Sequence, residues 1–519
     1  MKALPVVHKL SRLTAALNGP AAFPAGSPAV SVRGPVDRDI AALRYDSRKI
    51  TRNDVFFAWK GKNEDGHRFI ASARDQGAAA IVLEDASYIS QGTQTYIQVP
   101  DARRALALMA AAYYGRPDKQ LTMTAVTGTN GKTTTTLLIK HLLASYGRET
   151  GSIGTVGYEI GDRILPASRT TPEGSDLHEL LALMKSFGCS DVVMEVSSHA
   201  LDQGRTLPID FKVGVFTNLT PDHLDYHETM ENYFQAKKKL FAGAPGATSG
   251  LDRPGNAGVA VTNLDDARGA EIAGGLSPAV RVIGYSIEGN PDAILSATDL
   301  RYDVNGMHGT VRFGDDSFPF HSPLIGSYNA SNVLAAMGAG WALGLDPRFL
   351  VQTIATAPGV PGRMERFMSA DGVTAVVDYA HTEDAVRKVL SVLRPITTGR
   401  LFCIIGCGGN RDITKRARMA QAAVEGADRA IFTADNPRRE SLEKILDDME
   451  AGVPGATNYL RLADRREAIA EAVAHARRGD VICVAGKGHE TTQEIAGKYY
   501  PFDDRLVVQE FLSKRGRAS

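Results

Sequence analysis

Residues 125–134, with the sequence AVTGTNGKTT, constrain the fold more than any other part of the chain. They begin within the mostly apolar segment 121–126 and precede the helix-like run 137–143 (LLIKHLL). A strand, a glycine-containing turn and a helix start form a phosphate cradle, because the first N–H groups of a helix lack internal partners and carry partial positive charge. We therefore expect a phosphate-binding loop here, at the start of an α/β domain.

This loop differs from a standard P-loop, because Val126 stands where that motif has glycine and only Gly128 and Gly131 are kept. Lys132 would bring a full charge to the β- and γ-phosphates of a nucleotide, and Thr133 a hydroxyl group to a bound Mg²⁺. Taken by itself, the stretch leaves an ordinary glycine turn between a strand and a helix as an alternative.

The composition is that of a globular protein with several domains. The chain has 519 residues, which predicts about three domains at roughly 150 residues each. Lysine plus arginine and aspartate plus glutamate both number 59, so no overall charge draws the chain to nucleic acid or to a membrane. The four cysteines form no CxxC pair, and no apolar run resembles a membrane span or a secretory signal. We therefore expect a reduced, cytoplasmic protein without a membrane span.

Acidic and histidine side chains follow two apolar runs downstream of the loop. The run 191–196 contains Glu195, and the run 213–216 leads into a polar segment with His223 and His227. In an open α/β sheet, ligands bind beyond the carboxyl ends of the strands, so Glu195 and His223 are expected near a phosphate-bound Mg²⁺. A solvated strand end for Glu195 and a structural or surface role for the histidines stay open, because Mg²⁺ prefers oxygen ligands.

Four apolar runs in the C-terminal part each end in a polar or glycine-containing loop: 373–377, 401–405, 430–433 and 481–485. Amphipathic helical patterns separate these runs. The alternation predicts a doubly wound parallel sheet with its loops gathered on one edge, where they would form a binding face. Arg411 and Arg438 lie in these loops and suit a carboxylate-bearing ligand, because a guanidinium is a planar fork of donors.

From the residues alone we infer an ATP-using enzyme of several domains whose second substrate carries carboxylates. The segment 358–363 (PGVPGR) predicts a hinge, whose closure would keep water from an activated intermediate. Asn329 and Asn332 share a helix face and suit either ligand binding or polar capping contacts. The rival class is a P-loop motor acting on nucleic acid, against which the balanced charge and the lack of basic–aromatic tracts argue.

Ten short motifs, in their order and spacing, resemble those of the Mur ligase family over nearly the full chain. They are 46–48 (DSR), 127–134 (TGTNGKTT), 170–172 (TTP), 195–201 (EVSSHAL), 222–227 (DHLDYH), 328–332 (YNASN), 378–381 (DYAH), 406–411 (GCGGNR), 435–438 (DNPR) and 486–490 (GKGHE). The resemblance implies an α/β protein of three domains. These are a small N-terminal α/β domain that binds a UDP-sugar (1–119), a central P-loop-type mononucleotide-binding α/β domain for ATP (120–360), and a C-terminal Rossmann-like doubly wound domain for an amino acid (361–519).

The resemblance also implies ATP-driven amide formation in peptidoglycan precursor synthesis. The γ-phosphoryl of ATP would pass to the D-Glu γ-carboxylate of UDP-MurNAc-L-Ala-D-Glu, and the amine of meso-diaminopimelate would attack the acyl phosphate. Phosphorylation is needed because a carboxylate is a poor electrophile. An L-lysine-adding ligase of the same family is the nearer alternative, and a nucleic-acid-dependent P-loop ATPase the remoter one. The implied partners are small-molecule substrates, with no nucleic acid, and we expect a monomer.

For the nucleotide and metal sites, the resemblance implies specific residues. The ATP contacts would be Gly128, Thr129, Asn130, Gly131, Lys132, Thr133, Thr134, Asn329, Arg363, Asp378, Tyr379 and His381. Mg²⁺ would be held by Thr133, Glu195, His223 and Lys237, and the catalytic residues would be Lys132, Glu195, His223 and Lys237. Lys237 would act as a carbamylated lysine, because a free lysine with a pKa near ~10.4 is a cation that repels Mg²⁺. From sequence alone, Lys237, Lys238 and Lys239 could equally form a solvated basic face.

For the two other substrates, the resemblance implies two further sets of residues. The UDP-sugar peptide would contact Tyr45, Ser47, Thr170, Thr171, Ser197, Gln203 and Arg205. Diaminopimelate would contact Arg411, Asp435, Asn436, Pro437, Arg438, Gly486 and Glu490. Arg438 would distinguish diaminopimelate from lysine by pairing with the distal carboxylate that lysine lacks. Two residues depart from the family pattern: Glu383, where proline is expected, and Tyr158, where asparagine is expected.

Overall fold

A computed structural model of the protein describes residues 8–19, 22–61, 64–242, 250–252, 256 and 258–515. The chain divides into two compact units. The first is built from Met1–Ala297, Arg312–Asp316 and Ser331–Leu350, and the second from Thr298–Val311, Ser317–Ala330 and Val351–Ser519. The predicted domain boundaries at 119/120 and 360/361 stay a prediction.

The N-terminal part of the first unit is built on a five-stranded sheet. The strands of that sheet are β2 (Ser31–Arg33), β4 (Leu43–Arg44), β5 (Val55–Ala58), β6 (Ala80–Leu83) and β7 (Thr95–Gln98), and β1 (His8–Lys9) and β3 (Asp39–Ile40) form a separate antiparallel pair. The helices of this part are α1 (Leu10–Ala15), α2 (Ile70–Asp75) and α3 (Ala102–Tyr113). The sheet order is β2-β7-β6-β5-β4, with only β2 antiparallel to its neighbour. Helix α3 begins after Asp101, whose carboxylate accepts a hydrogen bond from the Arg104 N–H at 2.9 Å. It packs its buried face into the hydrophobic core of this region.

The central part of the first unit carries the predicted phosphate loop on a mainly parallel sheet. Its strands are β8 (Thr122–Thr127), β9 (Thr150–Gly154), β10 (Gly157–Ile160), β11 (Arg163–Leu165), β12 (Asp191–Glu195), β13 (Phe211–Phe216), β14 (Val259–Asn263) and β15 (Arg281–Ser286). Its helices are α4 (Lys132–Ser145), α5 (Gly174–Ser186), α6 (Ser198–Asp202), α7 (Leu224–His227), α8 (Met230–Lys238) and α9 (Ala267–Gly275). The order is β11-β10-β9-β12-β8-β13-β14-β15, so the phosphate loop leaves a central strand.

The parallel register of this sheet brings the ends of three strands together. Glu195 stands opposite Val126, and Phe216 stands opposite Thr127, in strands that flank β8 on either side. Because ligands bind beyond the carboxyl ends of parallel strands, the segments after β8, β12 and β13 share one edge.

Three strands and two helices follow in the chain: β16 (Leu295–Asp303), β17 (Gly306–Phe313), β18 (Asp316–Ser322), α10 (Ser327–Ala342) and α11 (Pro347–Ile354). Strand β16 pairs in parallel with β15, and β17 and β18 come next in the sheet order. Short 3-10 helices cover Ser47–Lys49, Gly66–Phe69, Ala86–Tyr88, Pro117–Gln120 and Arg394–Ile396.

The C-terminal part of the second unit confirms the predicted doubly wound sheet. Its strands are β19 (Glu365–Met368), β20 (Thr374–Asp378), β21 (Leu401–Ile405), β22 (Arg429–Phe432), β23 (Tyr459–Arg461), β24 (Val481–Ala485), β25 (Thr492–Ile495) and β26 (Lys498–Pro501), and its helices are α12 (Glu383–Leu393), α13 (Thr414–Gly426), α14 (Leu442–Glu450), α15 (Arg465–His475) and α16 (Asp504–Arg515). The order is β19-β20-β24-β21-β22-β23, with only β19 antiparallel. Strands β25 and β26 form a separate antiparallel hairpin.

The two residues that depart from the family pattern both have local structural roles. Glu383 is the first residue of α12, where its negative charge is favoured by the helix dipole and pairs with Arg387 at 3.2 Å. Tyr158 is buried, and its hydroxyl donates to the Arg169 carbonyl at 2.7 Å, which fixes the segment that leads to Thr170. Neither departure disturbs the fold around it.

None of the helices in the part of the chain that the structure describes has the length and apolar character needed to cross a membrane.

Candidate active site

The phosphate loop is a tight turn between β8 and α4. Gly131 adopts a φ of 86° immediately before the first residue of α4, and a Cβ there would overlap the Asn332 side-chain oxygen. The Lys132 ammonium folds back over the turn and donates to the carbonyl oxygens of Gly128 at 3.0 Å and Thr129 at 2.8 Å. The N–H of Asn130 donates to Asn218 Oδ1 at 2.9 Å, which ties the loop to the segment after β13. The loop, the Lys132 side chain and the start of α4 thus lie together as the predicted phosphate cradle requires, and phosphate binding by them stays a prediction.

Glu195 ends β12 as a buried carboxylate beside this cradle. It is 1% exposed, and its Oε1 accepts hydrogen bonds from the Thr133 hydroxyl at 3.0 Å and from the Thr155 N–H at 2.8 Å. The Thr155 hydroxyl lies 3.3 Å from Oε2. A solvated strand end is thus wrong for Glu195, because its side chain is buried among donors next to the loop.

The chemistry of these oxygens fits a magnesium ion. The Thr133 hydroxyl and the Glu195 carboxylate are oxygen ligands of the kind that Mg²⁺ prefers, and they already lie within 3.0 Å of each other. Among the described residues no cluster of three or more His, Cys, Asp or Glu side chains could hold a metal. Mg²⁺ bound together with nucleotide phosphates usually takes only one or two carboxylates from the protein, and Glu195 with Thr133 fits that pattern.

His223 lies close to the same edge but is not buried. It has a φ of 53°, its side chain is 46% exposed, and its ring centre is 6.0 Å from that of Tyr233. The Tyr233 hydroxyl in turn lies 3.2 Å from the Thr129 hydroxyl of the phosphate loop. His227 is different, because it is buried and its Nε2 lies 2.9 Å from the Ser198 hydroxyl, which gives it a structural role.

Lys237 is a buried amine directed at the phosphate loop. Its side chain is 1% exposed, and its Nζ donates to the Gly128 carbonyl at 2.8 Å and lies 4.4 Å from the Tyr233 ring centre. Burial, and then the charge of Lys132, lower the pKa of Lys237 well below its usual value. The solvated basic face is wrong for Lys237, whereas Lys238 and Lys239 form surface ion pairs with Glu271 and Asp202.

Four of the residues predicted to bind the UDP-sugar peptide form a chain of hydrogen bonds that starts at the Glu195 carbonyl. The Thr171 hydroxyl donates to the Glu195 carbonyl at 2.9 Å and accepts from the Ser197 N–H at 3.0 Å. The Arg205 guanidinium donates to the Thr171 carbonyl at 3.0 Å and to Gln203 Oε1 at 2.9 Å. These contacts link four of the predicted residues to the end of β12, next to Glu195.

The three remaining members of that set have other contacts within the first unit. The Thr170 hydroxyl lies 3.1 Å from the Thr155 hydroxyl. The Tyr45 hydroxyl donates to Asp176 at 2.7 Å, and Ser47 begins the short 3-10 helix that Asp46 caps.

A second nucleotide-binding group is predicted in the second unit, and its residues lie together there. The Asp378 carboxylate ends β20 and accepts from the Met364 N–H at 2.8 Å, and burial raises the pKa of Asp378. The Arg363 guanidinium lies over the Tyr379 ring at 4.8 Å, and the His381 ring centre is 4.6 Å from that of Tyr379. This geometry brings a cation, a buried carboxylate and two rings in edge-to-face contact together at the end of β20.

The two predicted asparagines have separate surroundings. Asn329 belongs to the second unit and donates from Nδ2 to the Ile325 carbonyl at 2.7 Å, which is a helix-start contact. Asn332 belongs to the first unit, where its side-chain oxygen lies against Gly131 of the phosphate loop.

The predicted amino-acid-binding residues meet at the carboxyl edge of the second unit's sheet. Asn436 donates to Glu490 Oε2 at 2.8 Å, and Gly486 is so close to the Asp435 carboxylate that a Cβ there would lie 2.7 Å from it. Burial raises the pKa of Asp435. The loop joining these residues continues through Pro437, whose carbonyl lies against Gly409.

Arg438 is held in an unusual backbone conformation within this group. Its φ is 57°, its Nη1 donates to the Gly409 carbonyl at 2.9 Å, and its Nε lies 3.4 Å from Glu494 Oε2. Gly408 lies beside the side chains of both Arg438 and Arg411, so the two predicted arginines flank the same glycine.

Sequence reasoning missed three residues that complete these groups. Thr155 binds Glu195 from the turn after β9, and no motif marked it. Lys487 contacts Glu490 at 3.0 Å, and its position inside the Gly-Lys-Gly-His-Glu motif was a signal that could have found it. Glu173, 1% exposed, pairs with Arg205 at 3.3 Å and follows directly after the 170–172 motif.

Family models match three consecutive parts of the chain. The chain matches the Mur ligase family, catalytic domain, over residues 39–114, the Mur ligase middle domain over 126–340, and the Mur ligase, glutamate ligase domain over 362–488.

Relatives cover nearly the whole chain. A Geobacter metallireducens protein named UDP-N-acetylmuramoyl-L-alanyl-D-glutamate–2,6-diaminopimelate ligase is 42% identical over 492 residues, covering 92% of this chain and 94% of the relative. A Chlorobaculum tepidum protein of the same name is 44% identical, with coverages of 91% and 92%. A solved structure of a ligase with this name superposes with a TM-score of 0.71 at 31% identity, covering 98% of this chain and 99% of that one. The chain therefore belongs to the Mur ligase family.

Proposed function

We propose that this protein is an ATP-dependent ligase that adds meso-diaminopimelate to the D-Glu γ-carboxylate of UDP-MurNAc-L-Ala-D-Glu. The observation that carries the proposal is the group formed by Asp435, Asn436, Arg438 and Glu490 at the carboxyl edge of the second unit's sheet. The carboxylates of this group suit a substrate ammonium group, and its arginine suits a substrate carboxylate. An amino acid such as diaminopimelate carries both groups at the end that is not acylated. The names of the relatives support the same substrate.

In this proposal the phosphate loop binds ATP and supports phosphoryl transfer. The N–H groups at the start of α4 and the Lys132 ammonium stabilise negative charge on the transferring phosphoryl group. Mg²⁺, when bound, supplies charge neutralisation at the phosphate oxygens, and Thr133, Glu195 and His223 would hold it. Arg363, Asp378, Tyr379 and His381 are proposed as further nucleotide contacts.

Lys237 is proposed to serve as a carbamate. The neutral amine is the nucleophile that adds to carbon dioxide, and the lowered pKa of Lys237 makes that form accessible. Carbamylation replaces the positive charge with an anionic oxygen ligand at the phosphate loop, where Lys132 already supplies the needed cation.

The proposed acceptor is activated before the amine attacks. Transfer of the γ-phosphoryl group from ATP to the γ-carboxylate gives an acyl phosphate and ADP. The diaminopimelate amine then forms the amide bond, loses a proton and displaces phosphate. Thr171, Ser197, Gln203 and Arg205 are proposed to hold the dipeptide end of the acceptor, because they lie around Glu195.

The experiment is phosphate release with UDP-MurNAc-L-Ala-D-Glu and ATP, in the presence of either meso-diaminopimelate or L-lysine. We expect release to depend on diaminopimelate and to be accompanied by a tripeptide product in mass spectrometry. Equal turnover with L-lysine would contradict the assignment of Arg438 as the selective residue. Stimulation by DNA or RNA instead of the amino acid would point to the nucleic-acid-dependent ATPase.

A further inference from the structure

Lys487 is a buried cation beside the amino-acid-binding group. Its side chain is 0% exposed, and its Nζ lies 2.7 Å from the Thr492 carbonyl, 3.0 Å from Glu490 Oε2 and 3.3 Å from Asn436 Oδ1. An ammonium group has three donors, so each of them has an acceptor here. A buried lysine is costly unless paired in this way, which means that the surrounding chain is built around its charge.

These contacts determine which way the Asn436 amide faces. The Glu494 N–H, which can only donate, lies 2.9 Å from Asn436 Oδ1, and Lys487 approaches the same oxygen. The amide nitrogen of Asn436 must therefore face Glu490, where it donates to Oε2 at 2.8 Å. Both Lys487 and Asn436 use Oε2, so the other oxygen, Oε1, can accept from a ligand; the Glu490 side chain is 34% exposed.

Strand β25 supplies the third side of this arrangement. Its Thr492 carbonyl accepts from Lys487, its Gln493 side chain donates to the Asp435 carbonyl at 2.8 Å, and its Glu494 N–H donates to Asn436. The buried lysine thus joins its own loop, 486–490, and the strand that follows it to the 435–438 loop, which lies about 50 residues earlier in the chain.

We propose that Lys487 is a positioning residue for the amino-acid substrate, holding Asn436 and Glu490 so that Glu490 Oε1 binds the ammonium group of diaminopimelate that is not acylated. This inference rests on the proposed function and deepens it. Lys487 does not touch the substrate itself; it acts through the two side chains that do.

The test is the steady-state kinetics of Lys487→Met, which keeps the length of the side chain and removes its charge and donors. We expect the KM for diaminopimelate to rise about tenfold or more, as for the loss of a charged hydrogen bond. The KM values for ATP and for UDP-MurNAc-L-Ala-D-Glu should stay within about twofold, because the contacts of Lys487 are confined to the amino-acid group. Lys514→Met is the matched control, since it removes an exposed lysine that pairs with Glu510 at 2.6 Å on α16.

A second variant keeps the inference testable should Lys487→Met fail to fold. Lys487→Gln retains two donors and should give a smaller rise in the same KM. In a Glu490→Gln background, Lys487→Met should raise the KM further by less than about threefold, because the two changes share one mechanism. If the wild type is active and both lysine variants have an unchanged KM for diaminopimelate, the inference is overturned and the proposed function stands. A wild type without diaminopimelate-dependent turnover overturns the proposed function, and the inference with it.

Discussion

Lys237 shows how burial alters the chemistry of a single amine. Three consecutive lysines, 237–239, close α8, but only the first is buried and directed at the phosphate loop. Desolvation disfavours the charged form of an amine, so the pKa of Lys237 is lowered and the reactive neutral form becomes accessible. Which of the three lysines is buried depends on how α8 packs, and the run of identical residues gives no indication of it.

We expect Lys237→Ala to lose most ligase activity, by about 100-fold, because it removes the proposed carbamate and with it an oxygen ligand for the Mg²⁺ that neutralises the transferring phosphoryl group. Added formate or acetate should restore part of the activity by supplying a carboxylate to the space that the side chain leaves. The measurement is phosphate release with and without the added acid. Lys239→Ala, which removes a surface ion pair with Asp202, is the control. Wild-type rates for Lys237→Ala would refute the carbamate.

Glu195→Gln should act on metal binding rather than on folding. The variant keeps the side-chain volume but loses the charge, so we expect kcat to fall about 10²-fold and the Mg²⁺ concentration for half-maximal activity to rise. A Mg²⁺ titration of the phosphate-release rate measures both. Asp191→Asn is the control, because Asp191 lies at the opposite end of β12, is buried, and pairs with Arg148 at 3.0 Å. A Mg²⁺ dependence that shifts equally in both variants would contradict the role of Glu195.

At the scale of elements, the turn between β8 and α4 depends on glycine at a particular position. Gly131 and Gly147 flank α4 at its two ends, with φ values of 86° and 88°. A Cβ at Gly147 would meet open space, whereas one at Gly131 would overlap Asn332. Alanine substitutions at the two positions therefore separate the free-energy cost of the backbone conformation from that of the contact with Asn332.

We expect Gly147→Ala to lower the free energy of unfolding by about 1–2 kcal/mol, the cost of a left-handed conformation for alanine. Gly131→Ala should lose about 1–3 kcal/mol more through overpacking, and it should also raise the KM for ATP because the cradle changes shape. Urea unfolding and ATP titration of the two variants measure these effects. Equal losses of stability, with an unchanged KM for ATP, would show that the Asn332 contact is unimportant.

Elements built from regular patterns were predictable, and those set by tertiary contacts were not. The apolar runs 401–405 and 481–485 coincide with strands β21 and β24, because a strand buried on both faces reads as continuous apolar sequence. Strand β25 (TQEI) carries mostly polar residues, and its position depends on hydrogen bonds to Asp435, Asn436 and Lys487 as well as on its pairing with β26. Thr155 was not predicted either, because its role depends on a tertiary contact: it binds Glu195 from a turn 40 residues earlier in the chain.

At the scale of the whole molecule, stability depends on buried arginines as well as on apolar cores. In the second unit, Arg416 is fully buried and pairs with Glu440 at 2.7 Å and with Asp448 at 2.8 Å, which joins α13 to α14. Arg465 and Asp504 form a second pair in which both side chains are 0% exposed, at the starts of α15 and α16. Removing one partner of such a pair leaves a buried charge without compensation.

Acid should therefore destabilise the protein partly through Glu440. Hydrogen bonds from Arg416 lower the pKa of Glu440 to about 2, against ~4.3 for an unfolded glutamate. A carboxyl whose pKa is lower in the folded state stabilises it above ~4.3, and that stabilisation is lost as the pH falls toward 2. Urea unfolding between pH 7 and pH 2 should show this loss, and Glu440→Gln should flatten the curve between about pH 5 and pH 2. An identical pH dependence in the variant would exclude this contribution.

The register of β8 and β12 limits where the length of the chain can vary. Glu195 stands opposite Val126 in adjacent parallel strands, and successive side chains of a strand face opposite sides of the sheet. A single residue inserted or deleted within β12 would turn the carboxylate away from the Thr133 hydroxyl, whatever its effect on stability. Insertions and deletions should therefore be accepted in the turns at the amino ends of these strands, and rejected within the strands themselves.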